Sequence, residues 1–509
     1  MSDASGNVIT EAHFFMFRGI MAIQLSEHFT YKKLLRFVLP SIIMMVFVSV
    51  YSVVDGLFIS NFVGDDALAA INLIFPFIMI CGAIGFMLGA GGSALVSKTL
   101  GEGNRERANA YFSMLVYVTA GIGIAIAVGG QFAVPAISEW FVSMDKTIEE
   151  GQRAYITEMC ILYGRVLLGA QPFFILQNIF QSFFVTAEKP RLGLIVTAGA
   201  GVTNMALDAL FVAGFNWGIA GAAAATAASQ LFGGIFPLFY FFRKNSSLLR
   251  LTKTKFYGRA FLKCVTNGSS EFLSNVASAL IILLYNNRIM GIVGMEGVKA
   301  YSAIGYIMMI FFSVFMGYSV GCAPLIGYNF GAKNKEEMRN LYKKSLVIVT
   351  ALGLTMTALT EALAFPIVSI FGFGTELRDL TVRGFRIYCT AFAIAGYGVF
   401  ASSMFTALNN GLISGIISFM RTLVFQVTAV IVLPVFWGLD GVWAATCVGD
   451  IFAVAVAVTF LIVFRHRYGY ALIRKKEEPP KENTDEICKE GIQISEKYDI
   501  MEESGGKSE

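Results

Sequence analysis

The sequence predicts an all-α polytopic membrane protein with twelve transmembrane helices in two pseudo-symmetric six-helix lobes. Composition, the alternation of apolar runs with basic clusters, and an internal repeat carry that prediction. Of 509 residues, 56% are hydrophobic and only 15% charged, and the mean hydropathy is +0.66. A soluble chain carries roughly a quarter charged residues. The composition therefore excludes an ordinary soluble enzyme, a disordered protein and a nucleic-acid binder. The net charge of +4 comes from short basic clusters between apolar runs, not from one basic patch. An apolar run of about 20 residues crosses a bilayer as a helix, and this chain has many.

Spans are expected near 37–60, 67–97, 108–135, 155–187, 190–213 and 218–242, then 260–290, 297–328, 341–370, 381–408, 411–435 and 441–465. Several exceed the bilayer thickness and must tilt or protrude. The first 37 residues lack an apolar core followed by a small-residue cleavage site, so no cleavable signal is expected, and Met21 offers an alternative start. The resulting division is an N-terminal segment 1–36, a first lobe 37–242, a basic linker 243–259, a second lobe 260–465 and a tail 466–509. The tail is rich in Lys and Glu, contains Pro479-Pro480, and reads as disordered.

Charge placement supports an even span count. Lys32, Lys33, Arg36, Lys98, Arg105, Arg107, Lys189, Arg191, the runs 243–263 and 333–344, Arg465 and Arg467 all fall on one side. The other side holds few, such as Lys146, Arg153, Lys299 and Arg378. By the positive-inside rule both termini are cytoplasmic, in a bacterial cytoplasmic membrane.

The repeat is read by shifting the chain about 230 residues, which lays 59–107 on 289–337 without gaps. Val63-Gly64 meets Val293-Gly294, Gly91 meets Gly321, and Leu100 to Asn104 meets Phe330 to Asn334. A shift of about 220 lays Trp217-Gly218 on Trp437-Gly438 and Thr226 on Thr446. Two copies of six spans share one topology and are related by an axis along the membrane normal, as in transporters with parallel repeats. A cleft between such lobes holds the substrate near the midplane.

Other chemistries are disfavoured. Six of the seven Cys lie in apolar runs with no CxxC or Cys/His spacing, and the three His lie outside the spans. No haem or structural metal is expected. The glycines Gly82, Gly85, Gly89, Gly91 and Gly92 suit close helix packing. No Walker spacing follows them, so energy must come from an ion gradient rather than from ATP.

Ionisable residues inside spans each need a reason, because one at the bilayer centre costs about 2.5–3.5 kcal/mol on insertion scales. Asp55 lies in the first span and Asp208 in the fifth, four residues after Asn204, which puts Asn204 and Asp208 on one helix face. Their repeat mates, Tyr285 and Thr428, are not acidic. A scaffold has no use for that asymmetry, whereas an ion-coupling site in one lobe does. Buried, adjacent carboxylates hold protons more tightly than isolated ones, so such a pair suits proton exchange. The competing reading has Asp55 capping a helix end at the interface. Glu271, after Ser269-Ser270, faces either a cationic substrate or only the neighbouring serines. Arg165, Arg288 and Arg421 pair with backbone or lipid headgroups, and Glu361 and Asp450 receive no role. Twenty-one Met and 46 Phe are compatible with a pliable cavity for aromatic cations, although most pack helices or face lipid.

Over residues 31–465 the chain resembles the multidrug and toxic compound extrusion (MATE) transporters, in the bacterial branch with the DinF-like and MepA-like efflux proteins. The resemblance rests on Val54-Asp55-Gly56-Leu57-Phe58-Ile59, Gly91-Gly92-Ser93 through Leu100-Gly101, Asn204 to Asp208, and Trp217 to Ala222. It implies two lobes in a V that alternate their openings, and a cation site in the first lobe at Asp55, Asn204 and Asp208. It adds Tyr163, Asn178 and Thr226 to that network, and Gln181 stands where an Asn is common. Gln181 and Glu271 become substrate-cavity candidates. Relatives are argued to bend the first helix near a proline, which makes Pro40 the hinge candidate. The acidic residue that some relatives carry on the tenth helix has no counterpart here, Asp379 being expected in a loop.

The expected function is an H⁺- or Na⁺-coupled antiporter that exports amphipathic, often cationic compounds. It needs no cofactor, no resident metal beyond a possible Na⁺ at Asp55, Asn204 and Asp208, and no partner besides membrane lipids; a monomer is expected. The alternatives are a flippase for a lipid-linked precursor and, in another class, a channel or non-transporting receptor. A membrane enzyme is the least expected, because no nucleophile–base pair appears in the spans.

Overall fold

A computed structural model describes residues 23–144 and 150–471, and among these the regular structure is helical throughout. The first lobe contains α1 (Tyr31–Phe62), α2 (Asp65–Gly101), α3 (Arg105–Met144), α4 (Glu150–Thr186), α5 (Pro190–Asp208) with a π-helix (Ala209–Gly214), and α6 (Gly218–Phe242). The second contains α7 (Gly258–Val293), α8 (Met295–Gly331), α9 (Lys335–Ser369), α10 (Thr375–Cys389), α11 (Phe392–Ala407), α12 (Gly411–Phe419) with a π-helix (Met420–Gln426), and α13 (Val427–Phe464). The expected tail lies almost wholly outside the described residues, as do His13 and Lys146.

Among the described residues ten helices are long and apolar enough to cross a membrane, and α10 with α11 forms an eleventh span bent by 48°. The expected span 381–408 is thus a bent pair, and Asp379 sits on the exposed first turns of α10 instead of in a loop. The last stretch, Gly411–Phe464, has 54 residues. It would be about 80 Å long if straight, far more than a bilayer core. It folds back on itself at Gly438, whose φ of 57° and ψ of −133° leave the helical region. Gln426 Nε2 donates to Thr446 Oγ1 across the fold at 3.3 Å, and Gly441 packs on Leu433. The residue numbers of these partners rise on one arm as they fall on the other, as in an antiparallel hairpin. Twelve spans result.

The repeat is written into the backbone. Gly64 and Gly294 have φ of 108° and 79°, Gly218 and Gly438 58° and 57°, and Gly103 and its mate Lys333 80° and 55°. Asn104 and Asn334 each cap the next helix, accepting from Arg107 N at 2.9 Å and Glu337 N at 3.0 Å. A Pro falls inside most long helices, Pro40 in α1 among them, and α1 runs through it unbroken.

The N-terminal segment differs from expectation. Helix α1 starts at Tyr31, not near 37, with Thr30 Oγ1 accepting from Lys33 N. Residues before it are packed: Leu25 and Phe29 are fully buried. Leu25 N donates to Glu188 Oε1 of the first lobe at 2.6 Å, and Phe29 N to Glu337 Oε1 of the second at 3.0 Å. Burial pushes the Glu188 carboxyl above the usual carboxylate range, against the Leu25 hydrogen bond.

The lobes meet along two pseudo-equivalent seams. In a bilayer, apolar burial supplies little drive between helices, so close packing through small residues has to supply it. A Cβ on Gly268 of α7 would lie 1.9 Å from Met87 O of α2, and one on Gly91 of α2 2.0 Å from Cys264 O of α7. On the mate seam Gly317 and Gly321 of α8 pack on Ile42 and Val38 of α1. The mates Gly101 and Gly331 pack reciprocally where α2 and α8 end, a Cβ meeting Tyr328 O at 2.0 Å and Lys98 O at 2.1 Å. Asn409 Nδ2 donates to Ala94 O at 3.0 Å and Asn267 Nδ2 to Asn409 Oδ1 at 2.9 Å. Apart from the Asn267–Asn409 bond within the second lobe, these contacts close the lobes together at the end of the bundle that carries the basic clusters.

Candidate functional site

Helices α1 and α5 bring the two first-lobe carboxylates together. Asp208 is the last residue of α5, immediately before the π-helix, so the widened turn begins at the carboxylate. Single π-turns inside helices recur at functional sites. Asn204, one turn earlier on the same face, is 2% exposed and Asp208 1%. Asn204 Nδ2 points across to Thr226 Oγ1 of α6 at 3.5 Å. Asp55, half-buried on α1, stands beside both Asp208 and Asn204. Tyr163 of α4 is buried within electrostatic reach of both carboxylates.

These carboxylates lack compensation. Asp55 Oδ1 and both oxygens of Asp208 are shielded from solvent with no hydrogen-bond partner among the described residues. None of the described ion pairs includes either residue. Buried polar atoms are nearly always paired, and an unpaired charge costs several kcal/mol. A proton or a small cation relieves that cost. Carboxylate, amide and hydroxyl oxygens suit a hard ion. Among the described residues no three His, Cys, Asp or Glu side chains gather as a metal site.

The other sequence candidates fall elsewhere. Asn178 and Gln181 are buried on α4, but Asn178 lies 15 residues, about 22 Å of helix, below Tyr163. It packs against α2 at Gly85 and Gly89, and no described hydrogen bond links it to a carboxylate. Glu271 sits on α7 in the second lobe, within electrostatic reach of Arg421. Arg421 lies over the Phe312 ring at 5.7 Å and also faces Asp450. Arg165 and Arg288 are exposed. Glu361 is 3.8 Å from Arg386. One residue the sequence reading passed over belongs to the site's surroundings: Tyr51, one turn before Asp55, packs against Gly201 and lies within electrostatic reach of Asp55.

The repeat mates in the second lobe form a hydrogen-bonded network, with Asp450 within electrostatic reach of Tyr285. Tyr285, where the first lobe has Asp55, exchanges a hydrogen bond with Thr446, the mate of Thr226, at 2.7 Å. Gln426 Nε2 donates to the same hydroxyl, and the Tyr285 ring stacks on Tyr301 with centroids 4.9 Å apart.

The MatE family model matches residues 40–210 and 272–431, one stretch in each lobe. This chain belongs to the MatE family. Among its relatives, the multidrug export protein MepA of Staphylococcus saprophyticus is 22% identical over 431 residues, 84% of this chain and 91% of the relative. That of Staphylococcus haemolyticus is 24% identical over 442 residues, 86% and 93%. A solved structure described as the outward-facing conformation of a multidrug resistance MATE family transporter superposes with a TM-score of 0.81 at 22% identity. It covers 89% of this chain and 99% of that one. The two matched stretches of this MatE chain start 232 residues apart, close to the shift that relates its lobes.

Proposed function

We propose that this chain is an H⁺- or Na⁺-coupled antiporter that exports amphipathic, often cationic compounds by alternating access. The observation that carries the reading is the meeting of Asp55 and Asp208, from helices α1 and α5, with three buried and unpaired carboxylate oxygens in one lobe only. The MepA relatives, described as multidrug export proteins, supply the substrate class. The basic end of the bundle faces the cytoplasm of a bacterial cell under the positive-inside rule, and the protein works as a monomer.

A cation entering from outside neutralises the pair. The neutral and charged forms of the site favour different arrangements of α1 against α5, and through the α1–α8 seam different lobe arrangements. Substrate and cation then oppose each other by biasing one equilibrium, with equal and reciprocal effects on affinity. Transport requires no bond chemistry, so no enzymatic step is assigned. A flippase reading needs a basic cleft, and Arg421 stands among the carboxylates Glu271 and Asp450.

The test uses proteoliposomes holding the purified chain and ethidium, with a pH gradient and a Na⁺ gradient imposed separately. Efflux driven by either gradient supports the reading and names the ion. Efflux by neither, or full efflux by both Asp55→Asn and Asp208→Asn, refutes it.

A further inference from the structure

At the basic end of the bundle a cavity of about 240 Å³ opens between α2 and α3 of one lobe and the first turns of α7 of the other. Four cationic side chains, Lys98, Arg107, Arg259 and Lys263, line it against one carboxylate, Glu102. That carboxylate is already engaged: Glu102 Oε1 lies 3.4 Å from Lys98 Nζ. Arg107 donates from Nε to Tyr111 Oη at 2.7 Å, which holds its guanidinium in place beside the cavity. Arg259 and Lys263 stand one turn apart on one face of α7. Neither has an ion-pair partner among the described residues. Lys263 also lies within electrostatic reach of Lys98, so like charges converge there. Neighbouring Arg105 does not take part, because it donates to Ser247 O and Leu248 O of the linker.

Cations gathered in a concave site without enough counter-charge repel one another until an anion enters. Basic pockets among membrane helices at the headgroup level are suited to phosphate groups of anionic lipids. We infer that this cavity binds a phosphate monoanion or diester, taken either from an anionic phospholipid headgroup or from free phosphate. The ligand bridges α2 and α3 to α7 across the seam between lobes, and so favours the arrangement in which this end is closed. The inference does not depend on drug export; only the leaflet that supplies the lipid follows from the orientation proposed above.

The experiment measures thermal unfolding of the full chain in detergent with added phosphatidylglycerol, phosphatidylcholine or inorganic phosphate. Phosphatidylglycerol is expected to raise the midpoint and phosphatidylcholine to leave it unchanged. In Arg259→Gln/Lys263→Gln the phosphatidylglycerol affinity falls roughly thirtyfold. The linker variant Lys253→Gln/Lys255→Gln, which removes the same charge outside the cavity, keeps the wild-type response. Glu102→Gln, which removes the competing carboxylate, strengthens it. An equal response to inorganic phosphate supports the site and makes a free anion its ligand. Equal phosphatidylglycerol responses in wild type and Arg259→Gln/Lys263→Gln overturn the inference. If that variant does not fold, an unchanged response in Glu102→Gln overturns it instead.

Discussion

Where α1 of the first lobe carries Asp55, α7 of the second carries Tyr285, and the two surroundings are built alike but satisfied differently. In the second lobe Tyr285, Thr446 and Gln426 share hydrogen bonds at 2.7 and 3.3 Å and the tyrosine is stacked and fully buried. In the first lobe the equivalent space holds Asp55 and Asp208 with oxygens that nothing in the described protein satisfies. A satisfied network rigidifies its lobe; an unsatisfied one leaves a place for a mobile charge. The duplicated fold thus satisfies the polar groups of one lobe and leaves those of the other without partners.

Breaking that comparison has its largest effect at the carboxylates. Asp55→Asn and Asp208→Asn are expected to reduce coupled efflux to the level of empty liposomes, whereas Tyr285→Phe stays within about threefold of wild type. Transport assays on the three variants decide it, and loss in Tyr285→Phe alone would reverse the assignment of the lobes. The same Asp208→Asn variant should unfold at higher temperature, because a buried carboxyl without a hydrogen-bond partner is removed, a gain of about 1–3 kcal/mol.

The seams come next. Gly268→Val sets side-chain atoms against the Met87 carbonyl, where even a Cβ would lie 1.9 Å away. Neither backbone can yield without parting α2 from α7, so about 3 kcal/mol of stability should be lost. Gly317→Val probes the mate seam at Ile42 Cα, 2.5 Å from an added Cβ, and should cost less. Thermal unfolding of the two variants compares the seams directly.

Smaller effects sharpen the comparison of turns. Tyr285→Phe removes one hydrogen bond and leaves Thr446 with Gln426, a loss of about 1 kcal/mol. Lys333 occupies the left-handed region that Gly103 occupies in the first lobe. Lys333→Gly should therefore stabilise by up to about 1 kcal/mol, and Gly103→Lys should do the opposite. Denaturant titration in mild detergent reads both.

Much of the fold was legible in the chain. Apolar run length, basic clusters and the repeat gave the spans, and Trp437-Gly438 read against Trp217-Gly218 foretold a turn inside what became one continuous helical stretch. The bend between α10 and α11 was not legible, since no Pro or Gly marks the break at 390–391. Within the site, Asn204 and Asp208 were legible because they share one helix face, and Asp55 because a charge stands out in an apolar run. Tyr51 beside it was not, because a neutral polar residue costs little enough in a span to occur without a role.

The sequence alone determined which residues cross the membrane, that the two halves are copies, and that Asp55 and Asp208 have no acidic mates in the second copy. Those properties are local: hydropathy, spacing and residue identity act over a few turns. Tertiary structure decided which polar residues meet. Helices α1 and α5 lie more than a hundred residues apart in the chain, and their depth and rotation follow from glycine-to-backbone packing at the seams and from the π-turn after Asp208. In lipid that packing, not apolar burial, orients one helix against another, and no sequence period records it.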